Sequence, residues 1–129
     1  MLFVYGSLLR QCRDSKNYLL AYYCDYVSDG YMCGQLYALD GYPGAVVSRH
    51  PADQVFGELY AIRAAQALFT RLDDYEECAG HFPEPHEYRR EAVLIERVDG
   101  VSVQAWVYLY NLSVAKLERI VSGDYRQQA

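Results

Sequence analysis

No stretch of this chain approaches the roughly 20 consecutive apolar residues that a membrane-spanning helix needs. No basic segment followed by a long apolar core opens it, so no secretory leader is expected and the protein is read as cytoplasmic. The net charge is −5 and there is no basic stripe; Arg89 and Arg90 are the only cationic pair of note. That argues against phosphate neutralisation, so no nucleic-acid partner is expected. The four cysteines, Cys12, Cys24, Cys33 and Cys78, include no C-x-x-C spacing, which speaks against a zinc ribbon or a thioredoxin-type redox motif. A disulfide is disfavoured in the cytosol. Cys78, His81 and His86 lie near Pro83 and Pro85 at no standard metal-ligand spacing; the segment reads as a polar surface loop, and no metal is expected. Internal repeats and low-complexity stretches are also missing.

What is present is a chain of 129 residues, 52% hydrophobic and 22% charged. Those values suit a single globular domain over residues 1–129 with a core large enough to need no covalent staples. There are 14 tyrosines. An apolar ring with a polar tip suits barrels or pockets where one end stays wet.

Short strands dominate the pattern. They are expected at 1–5, 24–28, 31–39, 44–48, 54–62, 88–98 and 102–110, with turns at Asp29–Gly30 and Asp40–Gly41 and a hairpin at Asp99–Gly100. Val103, Ala105, Val107 and Leu109 alternate with Gln104, Trp106, Tyr108 and Tyr110, a period-2 strand with both faces at least partly covered. Helices are expected after a cap at Asp14 or Ser15, carrying Tyr18, Leu19, Leu20 and Tyr22, then from about Ala64 to Glu77, and after a Ser113 cap to near Ile120; Ser122 to Ala129 is a tail. Many strands and few helices argue an α+β fold whose sheet closes toward a barrel.

Two segments carry candidate chemistry. Val4, Tyr5, Gly6, Ser7 and Leu8 follow the first strand. A strand that breaks at glycine leaves N–H groups unpaired, and successive N–H groups in such a turn can hold an anion; the plain alternative is a turn after an edge strand. The second segment holds Asp73, Asp74, Glu76 and Glu77. With Leu68 at zero and about 100° per residue, Leu72 falls near 40° and Phe69 near 100°, while Glu76 falls near 80°, inside the apolar sector. Asp73, Asp74 and Glu77 point elsewhere, Asp73 toward local hydrogen bonds with the helix or the Tyr5 loop. A carboxylate aimed inward has a raised pKa, as a general base at neutral pH requires; the alternative is a structural ion pair with Arg89 or Arg90.

Taken together, the V-Y-G-S-L loop, Asn17–Leu20, G-Q-L-Y-A-L at 34–39, G-Y-P-G-A at 41–45, V-F-G-E-L-Y at 55–60, L-D-D-Y-E at 72–76, Y-R-R at 88–90, A-W-V-Y at 105–108 and S-G-D-Y-R at 122–126 resemble, in order, the gamma-glutamylcyclotransferase-like family. The likeness is to small bacterial members and to gamma-glutamylamine cyclotransferase. It implies a small mixed β-barrel flanked by a few α-helices, and cyclisation of a γ-glutamyl compound to 5-oxoproline with release of the amine. It also implies Glu76 as the catalytic general acid/base, substrate binding at Tyr5, Gly6, Ser7, Leu8 and Tyr88, and no cofactor. The chain departs from the family pattern at Leu9–Cys12 and between Cys78 and Tyr88, where the leaving group is expected. A non-catalytic module binding a γ-glutamyl or amino-acid-like small molecule, and an interaction domain using a tyrosine-rich patch, are the other readings.

Overall fold

The computed structural model describes residues 1–12 and 19–127. The elements in chain order are β1 (Leu2–Val4), α1 (Leu19–Tyr23), β2 (Cys24–Ala38), β3 (Pro43–Val47), β4 (Gln54–Ile62), α2 (Ala65–Tyr75), β5 (Tyr88–Arg97), β6 (Ser102–Tyr110), β7 (Glu118–Ile120) and a final 3-10 turn at Tyr125–Gln127. The cap expected at Asp14 or Ser15, and Asn17 and Tyr18, lie outside the described residues. No described helix is long and apolar enough to cross a membrane.

Five strands close into a barrel. β2 pairs β4, β4 pairs β1, β1 runs parallel to β6, β6 pairs β5, and β5 returns to β2. The closing contact sets Gly30, Tyr31 and Met32 against Arg97, Glu96 and Ile95. It also explains why the turn expected at Asp29–Gly30 does not form. β2 runs straight through, bulged between Tyr26 and Ser28. Gly30 is there for a crossing: a Cβ on it would lie 2.6 Å from the Glu96 carbonyl oxygen. Beyond the barrel the end of β2 pairs β3 and β7. The last helix expected before Ile120 is therefore corrected as well. Ser113 caps only a turn, its Oγ taking the Ala115 N–H at 3.3 Å, and the chain then extends as β7.

The period-2 alternation sorts side chains into two cores. Phe3, Tyr5, Ala105, Val107 and Leu109 join one cluster inside the barrel. Leu2, Val4, Tyr108 and Tyr110 face outward and pack with Leu68, Phe69 and Leu72 of α2. α2 is thereby laid across the barrel wall beside the exit of β1. Burying one apolar side chain of this size stabilises by about 1.5–3 kcal/mol, so three anchors suffice to seat a helix whose N-terminus lacks a side-chain cap.

Candidate active site

β1 ends at Val4, and the chain turns sharply. The Leu9 N–H reaches the Gly6 carbonyl at 3.0 Å and the Cys12 N–H reaches Leu9 at 2.9 Å. Gly6 is packed under the β2–β3 turn; a Cβ there would lie 2.7 Å from Pro43 Cγ. Among the described residues the N–H groups of Gly6, Ser7 and Leu8 donate to no protein acceptor. Three successive unpaired donors in a turn suit an anion or a carbonyl oxygen. The Tyr5 ring does not face that space. It plunges into the barrel, where its hydroxyl donates to the Tyr108 carbonyl at 2.6 Å and accepts from the Ala45 N–H at 3.1 Å. Tyr5 can therefore contribute backbone, but not its phenol, to a ligand.

The opposite wall is the end of α2. The Glu76 N–H makes the last helical bond, to Leu72 at 2.8 Å. Glu77 then takes a left-handed φ of 55°, its N–H reaching Asp74 at 3.1 Å while Cys78 reaches Asp73 at 2.9 Å. This double closure stops the helix immediately after Glu76. The helix persists just long enough for the periodicity to turn Glu76 inward, as the sequence implied. Neither arginine takes it as a partner: Arg90 holds Asp73 through Nε at 3.0 Å and Nη2 at 3.2 Å, and Arg89 holds Glu91 at 2.8 Å and Asn111 at 3.1 Å. Burial, with a smaller push from the Glu87 carboxylate, raises Glu76 from 4.5 to about 7. Asp73 does make the hydrogen bonds expected of it, but to β5 and β6 rather than to the Tyr5 loop: Tyr108 donates to it at 2.6 Å.

The two walls enclose one cavity of about 40 Å³, lined by Tyr5, Gly6, Ser7, Leu8, Leu72, Glu76, Tyr88 and Tyr108 among others. It has room for water-sized groups. An open groove of about 310 Å³ adjoins it and shares Ser7, Glu76 and Tyr88. The groove alone lies at the lower end of the range of small-molecule sites, about 300–1,000 Å³. All the residues singled out from sequence, Tyr5, Gly6, Ser7, Leu8, Glu76 and Tyr88, thus meet at one place. Tyr88 is 7% exposed and gives its hydroxyl to the Pro43 carbonyl at 2.6 Å, so it walls the cavity from a fixed position.

Several contributors were not singled out by sequence. The groove is also lined by Tyr42 and Glu87, and Glu87 pushes the Tyr42 hydroxyl up to about 12. Tyr42 stood within the G-Y-P-G-A block but was not singled out, and nothing local marks Glu87. Cys78, His81 and His86 each have their own partner: Cys78 lies 3.9 Å from Asp73, His81 pairs with Asp74 at 2.9 Å, and His86 meets the Phe82 carbonyl at 3.1 Å.

A protein-family model described as Gamma-glutamyl cyclotransferase, AIG2-like, matches residues 2–127. The chain belongs to this family. It is 36% identical over 125 residues to YtfP of Escherichia coli (strain K12), described as a gamma-glutamylcyclotransferase family protein, covering 96% of this chain and 94% of that one. The solution structure of E. coli ytfP superposes with a TM-score of 0.63 at 33% identity, over 96% of this chain and 94% of that one. The crystal structure of YkqA from Bacillus subtilis gives 0.68 at 26% identity, covering 98% of this chain but 39% of that longer one. Membership in the gamma-glutamyl cyclotransferase, AIG2-like family accounts for the order of the sequence blocks, from the first loop to the Glu76 segment, along one barrel.

Proposed function

We propose that this protein cyclises a small γ-glutamyl compound to 5-oxoproline. The observation that carries the reading is the meeting of three N–H groups, on Gly6, Ser7 and Leu8, with a carboxylate raised to about 7, on Glu76, around one cavity, none of them with a hydrogen-bond partner among the described residues. In the reaction the α-amine of the glutamyl group attacks its own γ-carbonyl. The new bond joins the α-nitrogen to Cγ, the bond from Cγ to the departing nitrogen breaks, and the proton lost by the amine ends on the leaving nitrogen. The nucleophile is tethered, so the first task of the site is to hold the chain folded. The loop N–H groups would hold the glutamyl carboxylate or the developing oxyanion.

Glu76 is the proton carrier in this scheme. An α-ammonium near pKa 8 facing an ordinary glutamate is mismatched by about 3.5 units, or about 5 kcal/mol uphill; against a group at about 7 the mismatch shrinks to about 1.4 kcal/mol. No step draws on a metal or organic cofactor. The testing experiment is a screen of γ-glutamyl amines, γ-glutamyl amino acids and isopeptides for 5-oxoproline, run beside Glu76→Gln. Release by the parent and none by a folded variant is the expected result. A ligand-dependent thermal shift without turnover of any candidate would instead favour a binding module.

A further inference from the structure

We infer that Tyr108 is a positioning residue that holds the two walls of the site in register. It touches both of them through different atoms. Its hydroxyl donates to Asp73 Oδ1 at 2.6 Å, one helical turn before Glu76 on α2. Its carbonyl accepts the Tyr5 hydroxyl at 2.6 Å, at the exit of β1. The chain separation of these contacts, 35 and 103 residues, shows that neither is local.

The geometry around this residue is stiff. Tyr108 is 6% exposed and sits opposite Arg90 across the β5–β6 pair. Arg90 closes on the same Asp73 with two bonds and lies over the Phe69 ring, 4.1 Å from its centroid. Asp73 in turn receives the Cys78 N–H on its carbonyl, which locks the end of the helix. Side chain and main chain of Asp73 thus fix the segment on which Glu76 stands, and Tyr108 is the member of this set that also reaches the N–H loop. A charge-assisted bond of 2.6 Å to a carboxylate is among the stronger ones available to a neutral side chain. Because a misplacement of about 1 Å can cost about a hundredfold in rate, a link of this kind governs the reaction through the placement of Glu76.

This inference rests on the proposed function, and the test separates the two. Tyr108→Phe keeps the ring and the carbonyl that holds Tyr5, and removes only the bond to Asp73. The expected result is a fall in kcat of about tenfold with KM within about twofold. Carbon-13 titration of the Glu76 carboxyl should show its pKa dropping from about 7 toward the ordinary value as water enters. Tyr110→Phe, two positions along β6, removes a hydroxyl with no bond among the described residues and should change neither reading. If no γ-glutamyl compound is turned over by the parent protein, the proposed function fails, and the titration still decides the positioning. An unchanged Glu76 titration, or a kcat for Tyr108→Phe within twofold of the parent, overturns the inference. Should Tyr108→Phe not fold, Asp73→Asn, which weakens the same link from the other side, must lower kcat without raising KM, and failure to do so overturns it as well.

Discussion

Arg10 is joined to Glu58 twice, by its backbone N–H at 3.0 Å and by its Nε at 2.9 Å. Glu58 lies on β4, 2% exposed, and also accepts the Tyr60 hydroxyl at 3.0 Å. A carboxylate this deep is costly unless bonded, and here its bonds fix the far end of the loop whose near end carries Gly6–Leu8. Arg10 was visible in the sequence only as a departure from the family pattern. Its partner lies 48 residues away.

Glu58→Ala should therefore destabilise the fold by about 2 kcal/mol or more, through the loss of three accepted bonds. Arg10→Ala should cost less, because the backbone N–H and Tyr60 still satisfy Glu58. Denaturant unfolding of both variants measures the difference, and equal losses would contradict this division of roles.

The folded-state pKa of Glu76 lies above its unfolded value, so the native protein holds the proton more tightly between about 4.5 and about 7. The associated stability is fully present below about pH 4.5 and is lost as pH rises through about 7. Glu76→Gln, which cannot ionise, should be more stable than the parent at pH 8, by about 1–2 kcal/mol after allowance for partial exposure, with no difference at pH 4.5. Thermal unfolding at the two pH values checks the sign; a variant less stable than the parent at pH 8 would show the carboxylate to be paired.

Activity should run the opposite way. With the base form required, kcat/KM should rise about tenfold per pH unit below about 7 and level off above it. Glu87 contributes to the raised value through its charge, so Glu87→Gln should move that limb to lower pH by a few tenths of a unit. A shift to higher pH would exclude Glu87 as a source of the field.

Glu77 occupies, with a φ of 55°, the position after the helix end where glycine is the favoured residue. Glu77→Gly should raise stability by about 0.5–1 kcal/mol. Its readout is the melting temperature, and the Glu76 titration should be unchanged.

Much of the candidate site was legible because it depends on local rules. A strand breaking at Gly6 and a helical wheel with Leu68, Phe69 and Leu72 on one side are enough to set out the loop and the direction of Glu76. The β5–β6 hairpin and its alternation were legible for the same reason. What could not be read depends on partners far along the chain. Gly30 next to Asp29 reads locally as a turn, yet it serves the crossing of β5. The segment ending at Ile120 has a cap at Ser113 but extends because the edge of β2 is waiting for it. Tyr108 and Tyr110 look equivalent in the alternating pattern, and only the tertiary fold gives the hydroxyl of the first to Asp73.

The parallel pairing of β1 with β6 has a consequence for how the protein is made. β1 and the loop behind it are synthesised before their neighbours, among them Leu59 and Trp106. Contacts of such long sequence separation form slowly, and only once both partners exist. The loop that carries the Gly6–Leu8 N–H groups must therefore wait, without its β6 neighbour, until β6 has been synthesised. A truncation that ends before β6 should leave no partial site to bind anything.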